Sequence, residues 1–323
     1  MIALITGGAG FIGSHLADRL LADGHEVWSI DDLSTGSMHN IDHLEAHPKF
    51  HFVLGSVTDP SLMGQLVDRA DVIFHMAAAV GVKLIVENPV RTIETNVHGT
   101  EVVLQAAVKK SKLVVMASTS EVYGKGVKVP FSEDDDLLLG PTVRSRWGYA
   151  CSKAIDEYLS LAYSRERNLP IIIARFFNTT GPRQTGQYGM VVPTFVRQGL
   201  AGEPITVYGN GDQRRCFGYI GDVVESLMRL VDNPNARGEV YNIGSNHETT
   251  IMELAELVQR KTGNRSEIVQ VPYDQAYAVG FEDLGRRIPD VKKLHDTIDF
   301  HPETRIDEIV DRVMQFMVDS GQS

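Results

Sequence analysis

The first 32 residues constrain the fold of this chain more than any other stretch. Ile2–Thr6 is an apolar run with the length of a buried strand, and three glycines follow it at a spacing of three, Gly7, Gly10 and Gly13. Apolar residues then recur at helical spacing, and a second apolar run at residues 27–30 ends on two aspartates. The order strand, glycine turn, helix, strand and acid is typical of a βαβ unit that binds a dinucleotide.

The glycine turn suits the phosphates of a dinucleotide. Gly7 and Gly10 let the backbone turn tightly and bring its N–H groups against a pyrophosphate, and Gly13 lets the helix pack closely on the sheet. The helix begins at Phe11 and Ile12, and a helix N-terminus carries partial positive charge that attracts phosphate. We therefore expect residues 7–13 to bind the cofactor.

Asp31 indicates which dinucleotide binds. It lies 18 residues beyond Gly13, where a carboxylate accepts hydrogen bonds from both hydroxyls of a ribose. A carboxylate at this position repels a 2′-phosphate, so the sequence predicts NAD as the cofactor rather than NADP.

Composition argues against several other kinds of function. The 323 residues include 31 Lys and Arg against 42 Asp and Glu, and the net charge of −11 disfavours nucleic acid or an anionic membrane as a partner. No apolar run reaches the length of a membrane span, and the first strand begins at residue 2, so we expect neither a span nor a signal peptide. Two cysteines, Cys151 and Cys216, do not make a disulfide framework, which favours the cytoplasm. We expect Cys151 to be a small packed residue rather than a nucleophile.

Strand and helix patterns alternate through the first half of the chain. The sequence predicts helices at 92–110 and 148–167, and strands at 50–54, 70–79, 113–117 and 170–176. This alternation predicts an α/β fold over residues 1–178, a doubly wound parallel sheet of the Rossmann type.

The alternation ends after residue 178, where Gly and Pro become frequent. Amphipathic helices are predicted at 250–261, capped at Thr249 or Thr250, and at 305–318. We expect a smaller, irregular α/β substrate lobe from 179–217 and 244–323, with 218–243 returning to the first domain, and a ligand between them. The acidic run at 133–136 is interpreted as a solvated loop, and no metal site is predicted.

Tyr149 and Lys153 form a candidate catalytic pair, four residues apart on one helix face. A phenol with a pKa of about 10 is a poor base at neutral pH, and lowering that pKa by three units needs about 4 kcal/mol. One cation at about 5 Å supplies roughly 3 kcal/mol at an effective dielectric of about 20, so a lysine and a cationic nicotinamide ring together suffice. Thr119, Ser120 and Glu121 leave the carboxyl end of a predicted strand, where open α/β sheets hold their ligands.

These motifs together resemble the extended short-chain dehydrogenases/reductases, in the group of nucleotide-sugar epimerases, dehydratases and decarboxylases. The matching stretches run in the same order over most of the chain: residues 6–13, Asp31, 55–59, 75–78, Asn96, 118–124, 149–153 and 175–182. The resemblance implies that Asp59 reaches the adenine amino group and that Ala77 and Asn96 lie along the cofactor.

The resemblance also implies the roles of the remaining site residues. Tyr149 would be the general base, Lys153 would hold the ribose and lower the tyrosine pKa, and Thr119 would share the hydrogen bond to the sugar 4-hydroxyl. Asn178 and Arg215 would bind the diphosphate side of the substrate, and Arg287 would lie near its sugar end. A planar guanidinium suits both arginine roles because it binds oxyanions with two hydrogen bonds.

Reactions in this family begin alike, because the tyrosine takes the 4-hydroxyl proton while NAD⁺ takes the hydride from C4. Ser120 and Glu121 stand where a dehydratase has an Asp-Glu pair, which argues against dehydration. With Thr119 and the arginine before Pro289, they resemble the subgroup that decarboxylates UDP-glucuronate to UDP-xylose. The residues at 150–152 are closer to the 4-epimerases, so epimerisation stays open as the alternative.

Two further expectations follow. Relatives that lost their chemistry and became regulatory NAD-binding proteins typically lose the tyrosine or the lysine, and both are present here. The helices predicted at 92–110 and 148–167 carry more apolar positions than one sheet face needs. The resemblance implies that they pair across a homodimer as a four-helix bundle.

Overall fold

A computed structural model describes residues 1–79, 88–186, 190–272 and 286–321. Its central element is a parallel sheet of seven strands in the order β11-β6-β5-β4-β1-β2-β3. These strands are β1 (Ile2–Thr6), β2 (Glu26–Asp31), β3 (Phe50–Leu54), β4 (Val72–His75), β5 (Leu113–Thr119), β6 (Ile171–Phe176) and β11 (Glu239–Ile243). The strand order reverses between β1 and β4, which places a ligand crevice at the carboxyl ends of these two strands.

Helices cover both faces of the sheet because its strands are apolar on both sides. One core packs the sheet against α1 (Phe11–Ala22), α6 (Ile220–Asp232) and α8 (Lys292–Ile298). The other packs it against α2 (Pro60–Arg69), α3 (Pro89–Val108) and α4 (Arg146–Arg167). The structure thus confirms the predicted doubly wound Rossmann-type sheet.

A separate apolar core lies in the second half of the chain. It packs α5 (Val191–Ala201), α7 (Ile251–Lys261) and α9 (Ile306–Asp319) against the strand pair β8 (Ile205–Tyr208) and β13 (Ile268–Val271). The short strands are β7 (Thr179–Thr180), β9 (Arg214–Cys216), β10 (Gly218–Tyr219), β12 (Glu248–Thr250) and β14 (Arg286–Arg287). Parts of the predicted second lobe, at 187–189, 273–285 and 322–323, lie outside the described residues.

The element predictions hold with small changes at the ends. The strand at 50–54 and the cap at Thr250 are confirmed, and Thr250 and Glu253 form a reciprocal capping box at the start of α7. The predicted strand at 70–79 is shorter, since β4 ends at His75. No helix among the described residues has the length and apolar character of a membrane span.

The prediction for Cys151 is wrong. Its side chain is exposed on α4, whereas Cys216 is buried, and both thiols are free. Cys151 is not among the buried residues of α4 and takes no part in the apolar cores that flank the sheet.

Candidate active site

The glycine turn after β1 leaves no room for side chains. Gly7 has a φ of +71°, and a Cβ there would lie 2.8 Å from the backbone nitrogen of Ala77. A Cβ on Gly13 would lie 2.2 Å from the carbonyl oxygen of Gly7. Gly10 precedes α1, and its N–H donates to the Gly7 carbonyl over 3.1 Å. The backbone of this turn and the first N–H groups of the helix, at Phe11 and Ile12, are the donors that a diphosphate needs.

Asp31 ends β2 beside this turn and is 8% exposed. Its two carboxylate oxygens accept from the backbone N–H groups of Ala9 (3.0 Å) and Leu33 (2.8 Å). Burial raises the pKa of this carboxyl, and the two N–H groups oppose that rise. These bonds fix the carboxylate against the glycine turn.

The other predicted cofactor residues lie along the same edge of the sheet. Asp59 follows β3 and caps α2, accepting from the N–H groups of Ser61 (2.9 Å) and Leu62 (3.1 Å). Ala77 follows β4 and packs on Gly7. Asn96 accepts from the Ala79 N–H over 2.8 Å and donates to the Ser152 hydroxyl over 3.2 Å, so its amide holds the loop after β4 to α4.

Tyr149 and Thr119 meet at the carboxyl end of β5. Tyr149 is buried on α4, and its hydroxyl hydrogen-bonds to the Thr119 side chain. The Thr119 hydroxyl also accepts from the Glu121 N–H over 3.2 Å, at the start of a short 3-10 helix, Ser120–Tyr123. Ser120 is buried within that turn. Tyr149, Thr119 and Glu121 therefore lie together at the end of β5.

The Tyr149 pKa differs from the expectation. Burial raises it above the usual value of about 10, and the negative charges of Glu121 and Asp156 raise it further, while the Thr119 hydrogen bond lowers it. Lowering it toward neutral pH therefore requires positive charge beyond that of the described residues, of the kind that an oxidised nicotinamide ring carries.

Lys153 faces a carboxylate that the sequence reading did not include. Its ammonium lies 2.8 Å from Asp156, one helical turn further along α4, and both residues are almost fully buried. Burial and the Lys153 charge lower the pKa of the nearby His75 to about 3, so its imidazole is neutral. His75 in turn bonds to Thr6 (2.8 Å) and Thr100 (3.2 Å), which joins α3 to the sheet through buried polar contacts.

Glu121 is surrounded by arginines. One oxygen accepts from Arg287 of β14, and the other from Arg146, the first residue of α4, over 3.3 Å. Burial opposes ionisation of Glu121, but the charges of Arg287, Arg146 and Arg215 hold its pKa below the ordinary value. Glu121 is therefore a carboxylate in this site.

Arg215 and Arg287 are brought side by side by strand pairing. β14 pairs in parallel with β9, and Arg287 stands directly opposite Arg215 in the register. Both arginines are at least nine-tenths buried. Asn178, with a φ of +39°, donates from its amide to the Cys216 carbonyl over 3.0 Å, which ties the end of β6 to the same strand. Like charges placed together at low exposure indicate a site for an anion.

A buried network supports the 3-10 helix that carries Glu121. Arg175 of β6 pairs with Glu157 of α4 over 2.7 Å and donates to the Tyr123 hydroxyl over 2.8 Å. Glu157 also accepts from Ser118, and Tyr123 donates to Asn242 of β11 over 2.7 Å. Burial raises the pKa of Tyr123 to about 12, which keeps it a neutral donor. These contacts fix Glu121 by fixing the turn on which it stands.

Sequence reasoning missed Arg146, Asp156 and Glu157, and helix spacing carries the signal for two of them. Arg146, Tyr149, Lys153 and Glu157 follow each other at intervals of three or four residues, which is one face of α4.

No group of three His, Cys, Asp or Glu side chains among the described residues could hold a metal ion. In the acidic run, Glu133 accepts from the Asn242 N–H over 2.8 Å and Asp135 pairs with Lys128 over 2.6 Å.

Comparison with known proteins finds one matching family and relatives that are named as decarboxylases. The family described as GDP-mannose 4,6-dehydratase matches residues 4–313. A UDP-N-acetyl-α-D-glucosaminuronate decarboxylase from Bacillus cytotoxicus is 44% identical over 97% of this chain and 96% of its own length. UDP-glucuronic acid decarboxylase 1 of Danio rerio is 36% identical over 97% of this chain and 72% of its own.

A solved structure is similar over the whole chain. It is UDP-glucuronic acid 4-epimerase from Bacillus cereus in complex with UDP-glucuronic acid and NAD. The TM-score is 0.88 at 27% identity, and the match covers 99% of this chain and 100% of the other.

Proposed function

The chain belongs to the GDP-mannose 4,6-dehydratase family of extended short-chain dehydrogenases/reductases, and on that premise we propose that it decarboxylates UDP-glucuronate to UDP-xylose through a 4-keto intermediate. The observation that carries the proposal is Glu121, ionised between Arg146 and Arg287 and one hydrogen bond from Thr119. Glu121 lies beside Tyr149 and is separate from it, so the site has a second charged group for a step after the first oxidation.

The cofactor residues fit NAD. Gly7, Gly10 and Gly13, with the start of α1 at Phe11 and Ile12, offer backbone donors to the diphosphate, and Asp31 offers acceptors to the ribose. We assign Asp59 to the adenine, and Ala77, Asn96 and Lys153 to the nicotinamide half. When bound, NAD supplies a reversible hydride acceptor at C4 of the sugar. The NAD complex of the Bacillus cereus epimerase supports this assignment.

Tyr149 is assigned as the base. Its phenolate oxygen, oriented by Thr119, takes the proton of the 4-hydroxyl when C4 is oxidised. Oxidation makes a uronic acid into a β-keto acid, in which the C5–C6 bond can break, with its electron pair passing to the C4 oxygen as an enolate. CO₂ leaves, and a proton replaces it at C5. The hydride removed at the start would then return to C4 and the Tyr149 proton to O4, which gives the 4-hydroxyl of the product. We assign Glu121 and Arg287 to the C5 side of the sugar, with Ser120 beside them. There they orient the ring and control the delivery of the proton that replaces CO₂ at C5.

The diphosphate is assigned to the second half of the chain. Arg215 and Asn178 lie together on β9 and the end of β6, and Arg215 is adjacent to Arg287. A diphosphate there places the sugar between β14 and β5. We accordingly infer that 1–178 with 218–243 form the NAD-binding domain, and that 179–217 with 244–323 form the substrate lobe.

We also infer a homodimer in the cytoplasm. α3 and α4 pack against each other and share an exposed stripe of apolar residues, with Val90 (67% exposed) and Ile93 (41%) on α3 and Ile155 (44%) and Tyr158 (69%) on α4. Cys151 stands on the same stripe, one turn before Ile155. A second copy would cover this stripe as a four-helix bundle.

The second candidate is a UDP-sugar 4-epimerase. The overall match to the Bacillus cereus UDP-glucuronic acid 4-epimerase favours it, as does the run Ala150-Cys151-Ser152 between base and lysine. In an epimerase the 4-keto sugar rotates in the site so that the hydride returns to the other face of C4. Glu121 then takes no part in the chemistry.

Product analysis tests the proposal. The purified protein with NAD is given UDP-glucuronate and, separately, the 2-acetamido uronate on which the Bacillus cytotoxicus relative acts, and products are identified by mass spectrometry. We expect the product to have lost CO₂. A product of unchanged mass and inverted C4 would overturn decarboxylation and establish the epimerase.

A further inference from the structure

Asp156 has no part in the proposed reaction, although it faces the lysine that accompanies the base. It lies one helical turn beyond Lys153 on α4. The Lys153 ammonium donates to the Asp156 carboxylate over 2.8 Å, and the two side chains are 3% and 0% exposed. Both charges are therefore held away from water, where solvent and salt screen an ion pair little.

The other ionisable groups near this pair do not compensate Lys153. His75, at the end of β4, is neutral, because burial and the Lys153 charge lower its pKa to about 3. Glu157, which follows Asp156 on α4, is paired with Arg175 of β6 over 2.7 Å. A buried ammonium without a counter-charge is strongly unfavourable and gives up its proton instead. Asp156 is therefore the carboxylate that balances Lys153 among the described residues.

The Asp156 carboxylate itself occupies an unfavourable place. Its Oδ1 atom is buried and has no hydrogen-bond partner among the described residues. Burial raises the pKa of this carboxyl, while the Lys153 charge and the Thr100 side chain of α3 lower it. A buried polar atom that makes no hydrogen bond costs stability, and a buried ion pair is often no more stable than apolar packing. The carboxylate at this position thus indicates a task other than packing.

The pair also lies on the helix face that carries the base. Tyr149, Lys153 and Asp156 are spaced by four and three residues, and the helical rise places Asp156 about 10 Å beyond Tyr149 along the axis. An ammonium has three N–H donors. The bond to Asp156 uses one of them and leaves two for other acceptors, such as the hydroxyls of the ribose to which Lys153 is assigned.

We propose that Asp156 positions Lys153 and keeps its ammonium charged, so that the lysine is prepared for the cofactor before NAD binds. The inference rests on the proposed function only for the assignment of Lys153 to NAD, which decarboxylation and epimerisation share. Asp156 acts through Lys153 and touches neither the cofactor nor the sugar. It is a positioning residue.

Loss of the carboxylate should make NAD binding depend on pH. In Asp156→Asn the buried ammonium has no counter-charge, so it loses its proton as the pH rises, and a neutral amine is a weaker donor. NAD should therefore bind Asp156→Asn more weakly at high pH than at low pH. If Asp156 only filled space, its replacement would change NAD affinity equally at every pH.

Binding is a cleaner measurement here than turnover. Burial, Glu121 and Asp156 all raise the pKa of Tyr149, so removing the Asp156 charge also changes the base and its pH profile. The dissociation constant of NAD does not depend on proton transfer by Tyr149, and it reports on Lys153 alone of this pair.

The test measures NAD dissociation constants by calorimetry at pH 6, 7.5 and 9 for the parent protein and for Asp156→Asn. Glu166→Gln is the matched control, since Glu166 is an exposed carboxylate on the same helix. The double variant Lys153→Met/Asp156→Asn removes both charges. Thermal unfolding of all four proteins is measured at each pH, because a buried ammonium without a partner should destabilise Asp156→Asn most at low pH, where it is protonated.

We expect Asp156→Asn to bind NAD about tenfold more weakly at pH 9 than at pH 6, the difference between a charged and a neutral donor. The parent protein and Glu166→Gln should change by less than about twofold over this range. The double variant should bind NAD weakly at every pH and should unfold at a higher temperature than Asp156→Asn, because no unpaired charge remains.

Two results would overturn the proposal. One is an NAD affinity of Asp156→Asn that is independent of pH, or a pH dependence that persists in the double variant without the lysine. The other, which applies even if Asp156→Asn is too unstable for calorimetry, is a double variant no more stable than Asp156→Asn. If the parent protein neither releases CO₂ nor inverts C4, the proposed function fails, and NAD binding still decides the role of Asp156.

Discussion

Individual carboxylates have distinct tasks in this molecule because their surroundings differ. Asp31 is buried and held by two backbone N–H groups, whereas its neighbour Asp32 is exposed and accepts from the Ser34 N–H over 2.9 Å. Three arginines hold the pKa of Glu121 below its ordinary value, whereas burial raises the pKa of Asp156 against the opposing effect of the Lys153 ammonium 2.8 Å away. We propose accordingly that Asp31 sets the choice of cofactor, that Glu121 takes part in the chemistry and that Asp156 positions Lys153.

Asp31 should set the preference for NAD. A phosphate at about 6 Å from this carboxylate is repelled by about 3 kcal/mol per charge at an effective dielectric of about 20, so NADP should bind at least about tenfold more weakly. Asp31→Ser should reduce the difference in affinity between NAD and NADP, and Asp32→Ser should leave it unchanged. Calorimetry with both cofactors measures it, and equal affinities in the parent protein would refute this role.

Tyr149 should govern turnover and its pH dependence. Burial and Glu121 raise its pKa, and only the deprotonated form accepts the substrate proton, so the oxidation rate should rise as pH increases through neutrality. Tyr149→Phe should lower turnover by at least about 100-fold with little change in NAD binding. Tyr158→Phe, an exposed tyrosine on the same helix, is the control. Stopped-flow rates that are independent of pH and of the Tyr149 hydroxyl would remove it as the base.

The residues of the site were partly readable from the sequence. Motif spacing found Tyr149 and Glu121, and the family resemblance supplied Arg287. What a linear reading lacked was the strand register that sets Arg287 beside Arg215, 72 positions away in the sequence. Arg146 was readable in principle at helical spacing, but nothing before the structure showed Glu121 beside it.

At the scale of elements, regular segments were predicted best. Strands buried on both faces leave continuous apolar runs, so β1 and β3 were placed to the residue. Irregular segments were not, and the 3-10 helix at 120–123 that aims Glu121 has no periodic signal. Its geometry comes from contacts with distant elements, through Tyr123 and Asn242.

The capping box of α7 offers a test of local stability. Thr250 accepts from the Glu253 N–H over 3.0 Å and Glu253 returns the bond over 2.7 Å. Thr250→Ala should lower the free energy of unfolding by about 1 kcal/mol, the usual cost of a lost N-cap. Thr250→Ser retains the hydroxyl and should cost far less, as measured by denaturant titration. Equal losses of unfolding free energy in Thr250→Ala and Thr250→Ser would show that the effect comes from packing and not from the cap.

At the scale of the whole molecule, the sheet and the second half of the chain carry different groups of candidate site residues. The residues that we assign to NAD lie at the carboxyl edge of the sheet, and short strands in the second half of the chain place Arg287 opposite Arg215. The fold class followed from the alternation of strands and helices up to residue 178. The end of that alternation predicted a second lobe, and a separate apolar core lies in that part of the chain. The pairing of short strands there did not, because two- and three-residue strands carry too little pattern.

The exposed stripe on α3 and α4 should be a dimer interface. We expect light scattering to give the mass of two chains at micromolar concentration. Tyr158→Glu should shift the protein to one chain, because it buries a charge in an apolar bundle. Val127→Glu is the control, since Val127 is 92% exposed and lies outside the stripe. A parent protein that is monomeric at that concentration would contradict the bundle.

The central claim is that Glu121 acts after the first oxidation, on the C5 side of the sugar. The most direct measurement is the absorbance of the reduced cofactor in Glu121→Gln given UDP-glucuronate, followed alongside CO₂ release, with Arg286→Met as the control. We predict that the variant reduces its cofactor, accumulates the keto acid and releases CO₂ at least about 100-fold more slowly than the parent protein. Release of CO₂ at the parent rate, with no accumulation of reduced cofactor, would contradict the account.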